Sequence, residues 1–296
     1  MPPHASADAE LPQRGRLERE RLEQFESYVA DFRTVFHRAD QFLRFRAYLR
    51  GLLEPTERKN VESIALAASQ VMIVESNLPQ ALQHFVSNSP WNHRRLATAV
   101  RSHSRAWRND RHAVWLVHDG IFPKRGKHSV GVQRQYARSV GRKINCQVGV
   151  FVSQVGPLGF FPLAARLYLP AAWLREQEDT LDAKVPDSER RTASKSEIAF
   201  ELLDELRRES EPILPIVAES GYAAGPDFYS ILQDAAYPTA PHRADAVIQG
   251  LAAFESFKQS LGLDHFEGRT WQGWHHHVIL VFAAYHFWMQ SGRPTA

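Results

Sequence analysis

Only one cysteine, Cys146, occurs in 296 residues. That excludes an intramolecular disulfide framework and any zinc site built on several thiolates, and it fits a reducing compartment. Long apolar runs are also missing. No stretch of about 18 consecutive apolar residues exists, and no early apolar segment follows a basic start, so the expectation is a cytoplasmic protein without a membrane partner. Charge of one sign is nearly balanced, with 36 Lys and Arg against 33 Asp and Glu, so a partner has to be read from local arrangement. There is no Walker-type loop, no dinucleotide fingerprint and no serine nucleophile elbow. What remains is an ordinary globular composition, 44% hydrophobic and 23% charged, long enough for one large domain or two modest ones.

Residues 1–16 combine Pro, Ala and charge without apolar periodicity and read as a disordered tail. Over residues 17–110 the apolar positions recur at helical spacing. Phe25, Tyr28, Val29, Phe32 and Val35 make one helix, and Phe42, Phe45, Tyr48, Leu49 and Leu52 a second, with the register broken near His37 to Asp40. A third starts near Pro55-Thr56 and a fourth at Ser89-Pro90. From residue 111 the pattern turns to β. Ala113 to Val117, Cys146 to Ser153 and Phe160 to Leu169 read as strands, Ala193 to Arg208 as an amphipathic helix, and Ile213 to Ala218 as a short buried strand. Helices near 225–233, 244–260 and 272–289 follow, so the fold class is α/β.

Between Lys124 and Lys143 lie Lys124, Arg125, Lys127, Arg134, Arg138, Arg142 and Lys143 with no acid among them. Such a stretch after a strand that ends near Asp119 can hold phosphates. A solvated hairpin is the plainer reading of the same residues.

The segment His118-Asp119-Gly120-Ile121-Phe122-Pro123-Lys124-Arg125-Gly126-Lys127-His128-Ser129-Val130-Gly131, continuing through Gln133-Arg134-Gln135-Tyr136, resembles a block of the DDE transposases of bacterial insertion sequences. Arg166 to Pro170 with Trp173, Ala218-Glu219-Ser220-Gly221-Tyr222, and Phe254 to His277 with Leu261-Gly262-Leu263-Asp264-His265 and Trp274-His275-His276-His277 resemble further blocks in the same order. The resemblance runs from about Phe32 to Trp288. It implies a ribonuclease-H-like DDE core over 111–296 behind a helical, DNA-binding N-terminal domain over 17–110. It also implies Mg²⁺ (or Mn²⁺) if the chain is active, with DNA (element ends and target) as partner, a homodimer or pairing with an intact transposase, and a nucleoid location. Relative to that family the chain is shortened around 234–243, where a core strand and an inserted β region are expected.

In the family, two strand-end acids and a glutamate on a late helix hold two divalent ions, because activating water and stabilising the leaving 3′ oxygen requires several carboxylate oxygens. The family's first block reads Asp, an acid, Thr, Gly, Phe, which sets its first Asp at His118. Asp119 follows, and on a regular strand a one-residue step turns the side chain to the opposite face, so it replaces the missing ligand only if the strand is bulged there. Glu219 stands where the second Asp belongs, one methylene longer. Leu251 stands at the third position, with Glu255 one turn later on the same face; Glu267 lies in the family motif without a firm metal role.

The resemblance thus implies Asp119, Glu219 and Glu255 as catalytic residues and Asp119 and Glu219 as metal ligands. DNA contacts fall to Lys124, Arg125, Lys127, His128, Arg134, Arg138, Lys258 and Arg269. The chain is either a transposase performing metal-dependent hydrolysis and strand transfer at element ends, or a noncatalytic DNA-binding relic or regulator derived from one. His275-His276-His277 is not a metal site, since successive helical side chains point about 100° apart.

Overall fold

Strand β1 (Val114–Pro123) is buried along nearly its whole length, and the rest of the sheet is arranged on it. The computed structural model describes residues 10–106, 108–176, 183–209, 211–225 and 227–292. Strand β3 (Arg142–Gly156) pairs antiparallel with β1, from Val114 opposite Val155 to Pro123 opposite Cys146, without a bulge. Strand β5 (Ile216–Ala218) lies parallel on the other side of β1. The outer edge of β3 is shared by β2 (Gln133–Ala137) and β4 (Gly159–Tyr168), and the short helix α6 (Ala171–Glu176) follows β4. The resulting mixed sheet, in the order β4-β3-β1-β5 with β2 extending the β4 edge, is consistent with a ribonuclease-H-like core.

Beyond β5 the chain makes a single parallel bridge, Ile216 to Thr239. The Ile216 amide donates to Pro238 O at 2.8 Å and the Ala240 amide to Ile216 O at 2.9 Å. The contact lies in the link between α9 (Phe228–Asp234) and α10 (Ala244–Leu261) and is an isolated bridge rather than a strand.

Strand alternation gives the sheet two different faces. Trp115, Val117, Val150, Val152, Ile216 and Ala218 face helix α7 (Lys195–Arg208), which contributes Ile198, Leu202, Leu203 and Leu206. On the other face Val114, Leu116, Phe122, Phe151 and Phe160 meet α10 and α11 (Trp271–Gln290). Helix α10 approaches β1 closely because two positions carry no side chain. A Cβ at Gly250 would stand 2.4 Å from Leu116, and one at Gly120 would stand 2.4 Å from the Phe151 ring and 2.9 Å from Phe254.

Helix α11 is buried on all sides from Trp271 to Phe287 apart from Gln272. Its far side is covered by α2 (Ala39–Leu53), α4 (Leu78–Ser87) and α5 (His93–Ser104), and by α1 (Glu10–Ala30), whose Tyr28 hydroxyl donates to Ala283 O at 2.8 Å. One apolar cluster therefore runs from Phe25 through α11 to the sheet, and residues 17–110 do not close a core of their own. No helix among the described residues is long and apolar enough to cross a membrane.

Several boundaries differ from the sequence expectation for local reasons. Helix α1 begins at Glu10, inside the stretch read as a tail; residues 1–9 of that tail lie outside the described residues. Helix α3 (Val61–Val71) starts at Asn60, whose side chain accepts the Ser63 amide at 2.9 Å, rather than at Pro55-Thr56. Helix α5 is capped by Asn92, which accepts the Arg94 and Arg95 amides, rather than by Ser89. Helix α4 contains Gln83-His84-Phe85, a helical segment of the resemblance, and strand β2 forms one arm of the hairpin that is the plainer reading of the basic stretch. The strand's Gln-Arg-Gln-Tyr-Ala sequence lacks the apolar alternation that marks one.

The helical layer is bolted to the sheet by a buried ion pair. Arg108 donates to Glu211 at 2.7 Å and to Gln154 at 3.0 Å, and the two charged side chains are 3% and 1% exposed. Glu211→Leu leaves the guanidinium unpaired and is expected to cost about 3–5 kcal/mol. In the double variant Arg108→Met/Glu211→Leu most of that loss should be recovered, as read by urea unfolding.

Candidate functional site

The regular pairing of β1 decides which residues converge midway along it, just past the point where its ladder with β5 stops. His118 points to the α10 face. Its side chain is fully buried, stacks on Phe151 with ring centroids 5.5 Å apart, meets the edge of Phe254 at 4.6 Å, and shares a hydrogen bond with Ser153 Oγ at 3.0 Å. Burial lowers its pKa to about 4, so the ring is neutral. The position at which the resemblance sets the first acid is thus filled by aromatic packing.

Asp119 points to the opposite face, as alternation requires. Its carboxylate accepts the Tyr222 hydroxyl at 2.6 Å and pairs with the Lys195 ammonium. Tyr222 sits on α8 (Ser220–Ala223), and burial together with the adjacent Asp119 charge raises its pKa, which keeps the phenol a donor. Lys195 is the first residue of α7, held there by a capping box in which Ser194 and Glu197 satisfy each other's backbone amides.

Glu219 comes to the same place from β5. Its amide continues the parallel ladder by donating to Val117 O at 2.9 Å, and its carboxylate accepts the Asp119 amide at 3.0 Å. Burial raises the Glu219 pKa, the Asp119 charge adds to this, and the Asp119 amide, Arg138 and Lys195 oppose it. Arg138 reaches the site from the β2–β3 turn and donates to Ser220 Oγ at 2.9 Å.

The structure therefore brings Asp119 and Glu219 together but not the rest of the expected set. Glu255 lies on α10, the helix that covers the His118 face, and pairs with Lys258 on its own helix at 2.6 Å. Glu267 pairs with Arg58 on the surface. Among the described residues no group of three or more His, Cys, Asp or Glu is placed to hold a metal ion. The donor chemistry agrees. Two divalent ions need several free carboxylate oxygens, whereas both Asp119 oxygens already have donors, one a cation, and a Glu219 oxygen caps a backbone amide.

The expected DNA contacts divide by exposure. Arg125, Lys127, His128, Arg134, Arg138 and Arg269 are exposed. Lys124 is half-buried and donates to Phe266 O at 2.6 Å, and burial lowers its pKa. Lys258 is buried beside Glu255, with Ile121 O at 3.4 Å. Both ammonium groups have partners within the chain.

All three members of the histidine triplet are buried. His275 Nδ1 lies 2.8 Å from Trp271 O and His277 Nδ1 lies 2.9 Å from the Tyr48 hydroxyl. His276 has a carbonyl at each ring nitrogen, Val86 O at 2.8 Å and Trp91 O at 2.9 Å, an arrangement that favours the protonated ring. Burial is the larger effect and lowers its pKa to about 4. Cys146 is a free, buried thiol.

Lys195 was missed in the sequence. The available signal was a lysine in the first turn of a helix, where the helix dipole disfavours a cation unless an acid faces it.

A mixed sheet with helices packed on both faces places the chain in the α/β class that its sequence suggests. The family model described as DDE superfamily endonuclease matches residues 31–246, and the chain belongs to that family. A curated protein of Microchaete diplosiphon, described as a probable transposase for insertion sequence element IS701, is 26% identical over 210 residues, covering 71% of this chain and 50% of that protein. The chain thus spans about half the length of that curated relative. No solved structure matches it.

Two outcomes follow from the titrating groups. His93, His118, His275, His276, His277 and His286 all have lowered pKa values because they are buried. Below the ordinary histidine value of about 6.5 the unfolded chain takes up protons that the folded chain declines, so stability is complete above that pH and is lost below it, at up to about 1.4 kcal/mol per pH unit for each histidine. The urea midpoint should fall steeply from pH 7 to pH 5. Glu219 has the opposite sign, because a raised carboxyl pKa means that its charged form destabilises the fold as pH rises. Glu219→Gln keeps an acceptor for the Asp119 amide and should raise the thermal midpoint, more at pH 7 than at pH 5.

Proposed function

We propose that this chain is a noncatalytic DNA-binding member of the DDE transposase family, a relic or regulator that occupies element ends without cutting them. The observation that carries the proposal is the pair of opposite orientations in the middle of β1. His118 is sealed into an aromatic core, while Asp119 is turned away and neutralised by Lys195. A longer Glu at the second position, with its carboxylate on the Asp119 amide, leaves no set of oxygens suited to two Mg²⁺ or Mn²⁺ ions. The single bridge at Thr239 supports reading the segment around 234–243 as a shortened remnant of a further core strand.

DNA contact in this proposal belongs to the exposed cations that follow β1, chiefly Arg125, Lys127, Arg134 and Arg138, and not to Lys124 or Lys258. Helices α2, α4 and α5 bury their apolar faces on α11, so we assign them to support of the core rather than to a separate DNA-binding domain. Pairing with an intact transposase is the form of regulation that such a protein would exert. A second reading, retained metal-dependent nicking, is favoured by one observation only, the adjacency of Asp119 and Glu219.

The test uses a plasmid carrying the DNA that flanks the gene, with Mg²⁺ or Mn²⁺ and a parallel binding measurement over a salt series. The expected result is binding that weakens steeply with salt, by a slope of roughly −0.9 per phosphate contact, and no nicking. Arg125→Gln/Lys127→Gln/Arg134→Gln should reduce that slope by about 2–3. Nicking that disappears in Asp119→Ala and Glu219→Ala proteins would establish the second reading instead.

A further inference from the structure

Tyr136 is the only aromatic among the exposed large hydrophobic residues in the described part of the chain, at 56% exposure. It lies on β2 directly opposite Lys143 of β3, and Arg134 lies opposite Asn145, so the four side chains share one face of the hairpin. Both cations on that face are exposed. The reverse face is anchored, because Ala137 and Cys146 are fully buried in a cluster with Ile121 and Val148, and Ile144 packs against it. A one-residue slip or a flip of the hairpin would put that apolar set into water, so the outer face is held in register.

The surroundings of Tyr136 are of one sign. The Asn145 side chain donates to Lys124 O at 2.8 Å and Gly126 O at 2.9 Å, which ties the loop carrying exposed Arg125, Lys127 and His128 to the hairpin. Gly141, at φ +69°, closes the turn, and Arg138 at that turn reaches Ser220 beside the Asp119–Glu219 pair. Seven Lys and Arg and no acid fall between Lys124 and Lys143.

We infer that this face is a stacking platform for an unpaired DNA base, with the Tyr136 ring under the base and Arg134 and Lys143 holding the flanking phosphates. The inference rests on the DNA-binding reading above and adds to it the form of DNA that the hairpin selects. Base–aromatic stacking together with backbone cations is a sequence-tolerant way to hold a single strand. Inside a duplex the faces of a base are covered by its stacked neighbours, so duplex DNA can use the cations of this surface but not its ring.

The test is fluorescence anisotropy on the full chain at fixed salt, with one labelled oligonucleotide as a single strand and as a duplex, comparing wild type, Tyr136→Leu and Tyr136→Phe. Tyr136→Leu should weaken single-strand binding roughly fivefold or more, leaving duplex binding and the thermal midpoint unchanged, while Tyr136→Phe should bind as wild type. Wild-type affinity in Tyr136→Leu would overturn this inference alone. So would an equal loss in Tyr136→Phe, which would make the contact a hydroxyl–phosphate bond. Failure of the wild type to bind either form would overturn both this inference and the DNA-binding reading.

Discussion

Alternation along β1 is the constraint on which the site depends. The strand pairs with β3 in unbroken register through its last residue, so neighbouring side chains face opposite sides of the sheet. His118 enters the aromatic layer beneath α10, where Gly120 and Gly250 bring the helix close, and Asp119 projects toward α7 and α8. No small rearrangement exchanges the two. Moving Asp119 to the other face would carry His118, and with it Phe122 on the same face, out of the core.

The acids that remain are satisfied from within the chain. A half-buried carboxylate is costly unless it is paired and hydrogen-bonded, and here Lys195 supplies the charge, Tyr222 the hydrogen bond, and the helix cap at Ser194 the position of the lysine. Glu219 fits the same logic, since its carboxylate caps the amide of Asp119 and so extends the β1–β5 ladder by one contact. Two carboxylates that need an ion to stay close would repel one another when it is removed. This pair is held by a lysine, a tyrosine and a backbone amide.

Much of the architecture was legible in the sequence because its signals are local and periodic. The long strands β1, β3 and β4, helix α7 and the late helices follow from β-branched runs, helical spacing and Pro or Gly breaks. The alternation rule alone set His118 and Asp119 on different faces. What could not be read locally was tertiary. Lys195 lies far from Asp119 in sequence, the exposed strand β2 carries a polar sequence, and the helical layer has no separate core because α11, at the other end of the chain, completes it. The two lysines expected to contact DNA, Lys124 and Lys258, are used to bind the carbonyls of Phe266 and Ile121, which no charge pattern reveals.

The most direct measurement is an anomalous difference map from crystals of the chain grown or soaked with Mn²⁺. The account predicts no peak between Asp119 and Glu219, with the Lys195 ammonium still against the Asp119 carboxylate. A manganese peak within about 2.0–2.6 Å of oxygens from both acids, with Lys195 displaced, would contradict it and return the site to metal chemistry.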